Sequence, residues 1–286
     1  MANGKVCVVT GANRGIGRET AVGLAARGWR VVLACRDIVA AEDAARAIRA
    51  ATANPRVEAL GIDLASQRSI RAAAARYLAS HDRLDVLIHN AAVVTRGREL
   101  TTDGIERQLA VNHLGPFLLT YLWRDLLAAS APARVVVVSS EAHRWATLDP
   151  DDLNGTHRYS AQRTYQRTKL ANILFTYALA RRLDGTGVTA NALHPGVAGT
   201  RLLRSYSRVA RLVLGLVQPE RTSAPPRLAR TSIYLAVSPD VAEITGRYFR
   251  RSRAVPSSKA SYDRATQERL WAASARLTGI PEQESG

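Results

Sequence analysis

Seven short runs rich in β-branched residues alternate with helix-length segments along the chain, and this alternation is the strongest constraint on its fold. The runs are KVCVVT (5–10), RVVLA (30–34), VEALGI (57–62), LDVLIH (84–89), RVVVVS (134–139), VTANAL (188–193) and GRYFR (246–250). Each is nearly continuous in apolar character, the pattern of a strand buried on both faces. Between them, IGRETAVGLAARG closes on Gly28, and SQRSIRAAAARYLAS opens on Ser66 as a candidate N-cap. TTDGIERQLAVNHLGPFLLTYLWRDLLAAS reads as one long helix. Parallel strands need crossover helices to return the chain. The pattern therefore predicts an α/β, doubly wound fold with about seven parallel strands flanked by helices.

With 286 residues, 47% of them hydrophobic, the chain can bury a large core. Cys7 and Cys35 fall inside two of the apolar runs and read as core packing in a reducing compartment, with no disulfide or metal framework. No apolar run reaches the ~20 residues of a membrane span, and MANGKVCVVT turns strand-like too soon for a signal peptide. The expectation is a soluble cytoplasmic protein. A net charge of +16 raises the question of nucleic acid, but the arginines are scattered and no aromatic-interleaved basic stripe accompanies them. No nucleic-acid partner is expected; attraction of phosphorylated, acidic small molecules is.

The first strand runs straight into TGANRGIGRETA, so Gly11, Gly15 and Gly17 sit where the chain must bend and its backbone must approach a pyrophosphate. The spacing G-x-x-x-G-x-G differs from G-x-G-x-x-G, and no G-K-[ST] follows, which excludes a Walker loop. Further on, TYQRTKLAN places Tyr165 and Lys169 one helical turn apart in a chain whose 40 basic residues include only three lysines. That pair is either a catalytic device or the wet face of a helix. Gln166 and Arg167 between them read as surface.

Taken with ACRD, DLAS, HNAAV, the Asn-x-x-Gly of VNHLGPF, VVVSS, YQRTK and HPGVAGT in order, TGANRGIG resembles the short-chain dehydrogenase/reductase family over nearly the whole chain. TKLANILFT, SIYLAVSP, TGRYF and RLTG are similar to the retinol-dehydrogenase and WW-domain-oxidoreductase branch. The resemblance implies one Rossmann-type domain over 1–286, with 1–130 mainly the cofactor half and 131–286 the catalytic and substrate half. It implies a cofactor loop of Gly11, Asn13, Arg14, Gly15, Ile16 and Gly17, with Asp63 and Leu64 flanking an adenine. Asn90 and Ala91 would lie along the cofactor, and Pro195, Gly196, Val197 and Thr200 near the nicotinamide. His89, Ala92 and Thr168 depart from the family pattern. A 2′-phosphate needs arginine where a ribose hydroxyl needs an acid. No acid stands at Cys35, Arg36 follows it, and Arg14 offers a second guanidinium, so NADP(H) is expected over NAD(H).

Hydride transfer to a carbonyl leaves negative charge on oxygen, so the site needs a proton donor and an orienting hydrogen bond. Tyr165 is the expected general acid/base, with Lys169 tuning it and, by resemblance, holding the nicotinamide ribose. By resemblance Ser140 orients the substrate, with Ser139 as the alternative, and Asn112 kinks a helix and holds a water near the lysine. His143, Trp145 and Leu202 are candidates for the substrate pocket, together with Ser140 and Tyr165, and residues 199–226 for a lid. The expected activity interconverts an alcohol and an aldehyde or ketone on a lipophilic small molecule. The resemblance also implies a homodimer or homotetramer that pairs the long helices. Alternatives are an NAD-dependent sugar-nucleotide epimerase/dehydratase-like enzyme, or a non-catalytic nucleotide- or nucleic-acid-binding protein.

Overall fold

The computed structural model describes residues 4–156, 159–196 and 225–281. Eight strands form one sheet in the order β3-β2-β1-β4-β5-β6-β7-β8. β1 (Val6–Thr10), β2 (Arg30–Cys35), β3 (Val57–Gly61), β4 (Val86–His89), β5 (Ala133–Val138), β6 (Val188–His194) and β7 (Arg247–Arg250) run parallel. β8 (Arg253–Ala254) adds an antiparallel edge. The sequence pattern missed it because its turn uses Arg251 and Ser252 at φ 51 and 59, in the left-handed region, without glycine or asparagine as a marker.

Both faces of the sheet are covered. Val6, Val8, Val32, Leu87, Val135 and Val137 pack toward α3 (Gln67–Ser80), α4 (Gly115–Ala129) and α5 (Ala161–Arg182). The alternate residues Cys7, Val9, Val31, Leu33, Val86 and Val136 pack toward α1 (Gly15–Ala25), α2 (Ile38–Thr52) and α6 (Arg230–Val237). Burial on both sides explains the continuous apolar runs, since every position along such a strand faces a layer of helices. Cys7 and Cys35 are free thiols in the second of these layers.

The stretch expected as one long helix from residue 101 is divided. A helical turn at Arg107–Leu109 leads into a π-helical turn at Ala110–Leu114, and α4 starts only at Gly115. α5 corrects a second expectation. Its residues 168–180 are all buried, and Gln166 is 6% exposed, so between Thr164 and Ala180 only Arg167 remains partly exposed. Its outer side is covered by α7 (Arg264–Thr278). Trp271 of α7 meets Phe117 of α4 at 4.9 Å between ring centres, and Glu268 pairs with Arg181 and Arg182 of α5.

Among the described residues, four histidines are buried: His89, His113, His143 and His194. Burial pushes His89 down to about 3, His113 and His194 down to about 4, and His143 below its ordinary value. The unfolded chain takes up these protons near pH 6.5 while the folded chain does not, so their contribution is complete above that pH and is lost as pH falls below it. Urea unfolding is expected to show steady stability between pH 7 and 8, then a decline of up to about 1.4 kcal/mol per pH unit for each such histidine. His89→Asn should flatten the slope; a decline starting only in the carboxylate range would contradict this account.

Candidate active site

The strand order reverses between β1 and β4, which opens a crevice at their carboxyl ends. Asn90 closes the base of that crevice. Its side-chain amide donates to the Thr10 carbonyl at 2.9 Å and the Gly11 carbonyl at 3.3 Å, while the Asn90 and Ala91 N–H groups donate to Thr10 Oγ1 at 3.0 and 3.1 Å. The glycines are what this close approach requires. A Cβ on Gly17 would sit 2.5 Å from Asn90 Nδ2 and 2.5 Å from the Gly11 oxygen, and one on Gly11 would sit 3.0 Å from Ala91 Cα.

α1 begins at Gly15 after Arg14, whose extended backbone provides no side-chain cap, whereas α2, α3 and α5 are capped by Asp37, Ser66 and Ser160. Gly15 has φ +59 and open space where a side chain would be. The first N–H groups of this helix therefore have no side-chain cap and carry the charge preference of a phosphate site. These residues fit a dinucleotide. Asn13 is half-buried and Ile16 buried within the loop, while Arg14 and Arg36 are exposed beside it with no ion-pair partner among the described residues. Asp63 is half-buried and accepts the Ala65 N–H at 2.9 Å. Leu64 is 7% exposed and packs into the core beside Gly115.

Sequence reasoning read Cys35 only as packing. In the fold its thiol is pushed up to about 11 by burial, opposed by the nearby backbone N–H groups of Ala12, Asn13 and Gly11. It lies buried beside the glycine loop. No local signal announces such a placement, because the contact joins the ends of two different strands.

The four chemistry-bearing residues converge at the end of β5. Tyr165 is 1% exposed, and its phenol lies beside the Ser140 hydroxyl. Burial holds that phenol above its ordinary value, with the Ser140 hydroxyl opposing. Lys169 Nζ lies 5.6 Å from the Tyr165 ring centre and donates to the Val138 carbonyl at 3.0 Å. Burial pushes its ammonium down to about 8. Ser139 Oγ donates to the Lys169 carbonyl at 2.7 Å, so of the serine pair only Ser140 turns its hydroxyl toward the phenol.

Asn112 lies in the π-helical turn and is fully buried. Its amide accepts the Val93 N–H at 2.8 Å and donates to the Val93 carbonyl at 3.0 Å and to Thr168 Oγ1 at 3.1 Å. Thr168 Oγ1 donates in turn to the Tyr165 carbonyl at 2.8 Å. The departure Thr168 thus links Asn112 to the turn that separates Tyr165 from Lys169. His89 is bonded through Nε2 to Thr120 Oγ1 at 2.7 Å and belongs to the core.

Of the pocket candidates, Trp145 is 58% exposed on the short helix after Ser140. His143 is buried with both ring nitrogens bonded within the protein, which leaves neither free for a substrate. Pro195 and Gly196 follow β6, and Gly196 has φ +99. Val197, Thr200, Leu202 and almost all of the expected lid lie outside the described residues.

A doubly wound sheet with a phosphate cradle at its switch point and a buried Tyr, Lys, Ser and Asn beyond it defines a nucleotide-dependent oxidoreductase scaffold. Residues 5–210 match the short chain dehydrogenase family, and the chain belongs to it. Among curated relatives, human retinol dehydrogenase 13 is 46% identical over 282 residues, covering 97% of this chain and 85% of that protein. Mouse retinol dehydrogenase 12 is 47% identical over 277 residues, covering 97% and 87%. Among solved structures, an uncharacterized protein from Mycobacterium paratuberculosis superposes with a TM-score of 0.76 at 34% identity, covering 97% of this chain and 94% of that one. The RhlG/NADP active-site complex of Pseudomonas aeruginosa does so with 0.66 at 27% identity, covering 87% and 94%. The chain is an oxidoreductase of a family that uses nicotinamide cofactors, similar to retinol dehydrogenases and acting on CH–OH groups.

Gly17→Ala should weaken dinucleotide binding by at least about tenfold, because the new methyl must displace backbone or the Asn90 amide. Titration of NADPH fluorescence checks this. Unchanged affinity would mean that the cradle is not the cofactor site.

Proposed function

We propose that this protein interconverts an alcohol and an aldehyde or ketone on a lipophilic small molecule, using NADP(H), with Tyr165 as general acid/base. The observation that carries the reading is the buried Tyr165 phenol beside the Ser140 hydroxyl, with the Lys169 ammonium near its ring. The chemistry that a nicotinamide supplies when bound is hydride exchange with the substrate carbon. The rest falls to the protein. Ser140 holds the substrate oxygen next to the phenol, and Tyr165 delivers a proton to that oxygen in reduction or removes it in oxidation. Lys169 stabilises the phenolate that reduction leaves behind. Asn112, through Thr168, keeps the helical turn between Tyr165 and Lys169 in place.

The preference for NADP(H) rests on Arg14 and Arg36, exposed and without ion-pair partners at the loop and the end of β2, where Cys35 stands in place of an acid. Guanidinium forks suit a phosphate better than a hydroxyl. A lipophilic substrate is supported by the relatives named as retinol dehydrogenases and by the exposed indole of Trp145. Self-association through the long helices has no support, because residues 168–180 of α5 are buried within one chain. A dimer or tetramer would need another face. Among the described residues no helix is long and apolar enough to cross a membrane.

Tyr165→Phe is expected to lower kcat for NADPH-dependent aldehyde reduction by about 10²–10⁴-fold while leaving NADPH affinity within a few fold. Full activity in that variant would sink the proposed chemistry. Arg36→Asp should weaken NADPH about 10- to 100-fold and leave NADH little changed; an intact preference would remove the 2′-phosphate argument. Because the buried phenol is protonated at neutral pH and Lys169 titrates at about 8, kcat for reduction should be level from pH 6.5 to 7.5 and fall as pH rises through about 8.

A further inference from the structure

His143 is 0% exposed, and both sides of its ring are occupied. Nδ1 lies 2.6 Å from the Ser140 carbonyl, and Nε2 accepts the Ser258 N–H at 3.0 Å. An acceptor on one side and a donor on the other require a neutral ring with its proton on Nδ1. The His143 backbone N–H donates to the same Ser140 carbonyl at 3.1 Å, and Ser140 Oγ accepts the Ala142 N–H at 3.2 Å.

The next residue extends the grip. Arg144 donates to the carbonyls of Pro256 at 2.6 Å and Ser257 at 3.4 Å, so two adjacent side chains hold three consecutive residues of a distant segment. Ser257 Oγ is 2.7 Å from the hydroxyl of Tyr177, which lies on α5 about three turns beyond Tyr165. Residues 256–258 therefore connect the strand end that carries Ser140 to the helix that carries Tyr165.

We propose that His143 is a positioning residue: through its ring, residues 256–258 brace Ser140 against the Tyr165 helix and keep the serine hydroxyl aimed at the phenol. This rests on the reading of Ser140 as the substrate-orienting hydroxyl. The brace makes sense chemically. Ser140 is the last residue before a short 3-10 helix and lies one residue beyond the final ladder bond of its strand, from the Ser139 N–H to the Leu193 carbonyl, and proton transfer is sensitive to small misplacements of the reacting groups.

Two substitutions approach the brace from opposite ends. His143→Ala removes the ring. Ser258→Pro removes only the N–H, because Ser258 already has a proline-like φ of −70, its Oγ is without a partner, and the carbonyls gripped by Arg144 remain. In the full chain, amide hydrogen exchange across residues 139–146 is expected to accelerate about tenfold or more in each variant, with β1 to β4 unchanged, and the double variant should go no further than the worse single one. With NADPH and retinaldehyde or decanal as probes, kcat should fall about 10- to 100-fold while the NADPH Kd stays within twofold. Unaltered exchange at 139–146 in Ser258→Pro, or additive effects in the double variant, would overturn the brace; so would an unchanged kcat. The exchange measurement needs no turnover. It therefore decides the brace even if the proposed reaction fails, a failure that Tyr165→Phe and NADPH titration reveal on their own.

Discussion

β5 and α5 are spliced together by a reciprocal pair of hydrogen bonds on which the rest of the site depends. The Lys169 ammonium donates to the carbonyl of Val138, and the hydroxyl of the next residue, Ser139, donates back to the carbonyl of Lys169. A buried cation is costly unless it is well partnered. Here the cost is contained by the carbonyl of Val138, the last residue of β5. The pair fixes how deep α5 sits against the sheet. That depth sets the contact between Tyr165 and Ser140, and it explains why adjacent serines differ: one is spent on the splice and the other faces the phenol.

The cofactor end is governed by a different constraint, the close approach of β1 and β4. Thr10, Gly11, Asn90 and Ala91 form a compact knot in which side-chain and backbone groups satisfy one another. Any Cβ at Gly17 would enter it. With the base of the crevice so filled, the uncapped start of α1 is left as the one helix entrance among α1, α2, α3 and α5 without a capping side chain. Anions favour that position by dipole and free N–H groups together.

The fold was largely legible because its signals are local. Parallel strands buried on both faces show as unbroken apolar runs, and each of the seven runs became a parallel strand. Legibility failed where tertiary contacts overrode local pattern. The segment from residue 101 carries helical spacing throughout, yet Asn112 is drawn into the backbone of Val93, and the chain takes a π-helical turn to deliver it. α5 carries Thr164, Gln166, Thr168, Lys169, Asn172 and Thr176, a polar set that suggests a solvent face; all six are buried, because α7 and the segment before it close over the helix. Thr168 and Lys169 are reconciled with burial by partners elsewhere in the chain, Asn112 and the Val138 carbonyl.

By itself the sequence determined the order of strands and helices, the glycine spacing of the loop and the four-residue spacing of Tyr165 and Lys169, since each depends on residues adjacent along the chain or one turn apart. Only the tertiary structure decided which serine lies beside the phenol, that Cys35 is buried next to the glycine loop, that all of TYQRTKLAN except Arg167 is buried, and that His143 is bonded to Ser258 rather than open to a pocket. These are contacts between segments tens to more than a hundred residues apart. Their partners are chosen by sheet register and helix depth, which no local spacing encodes.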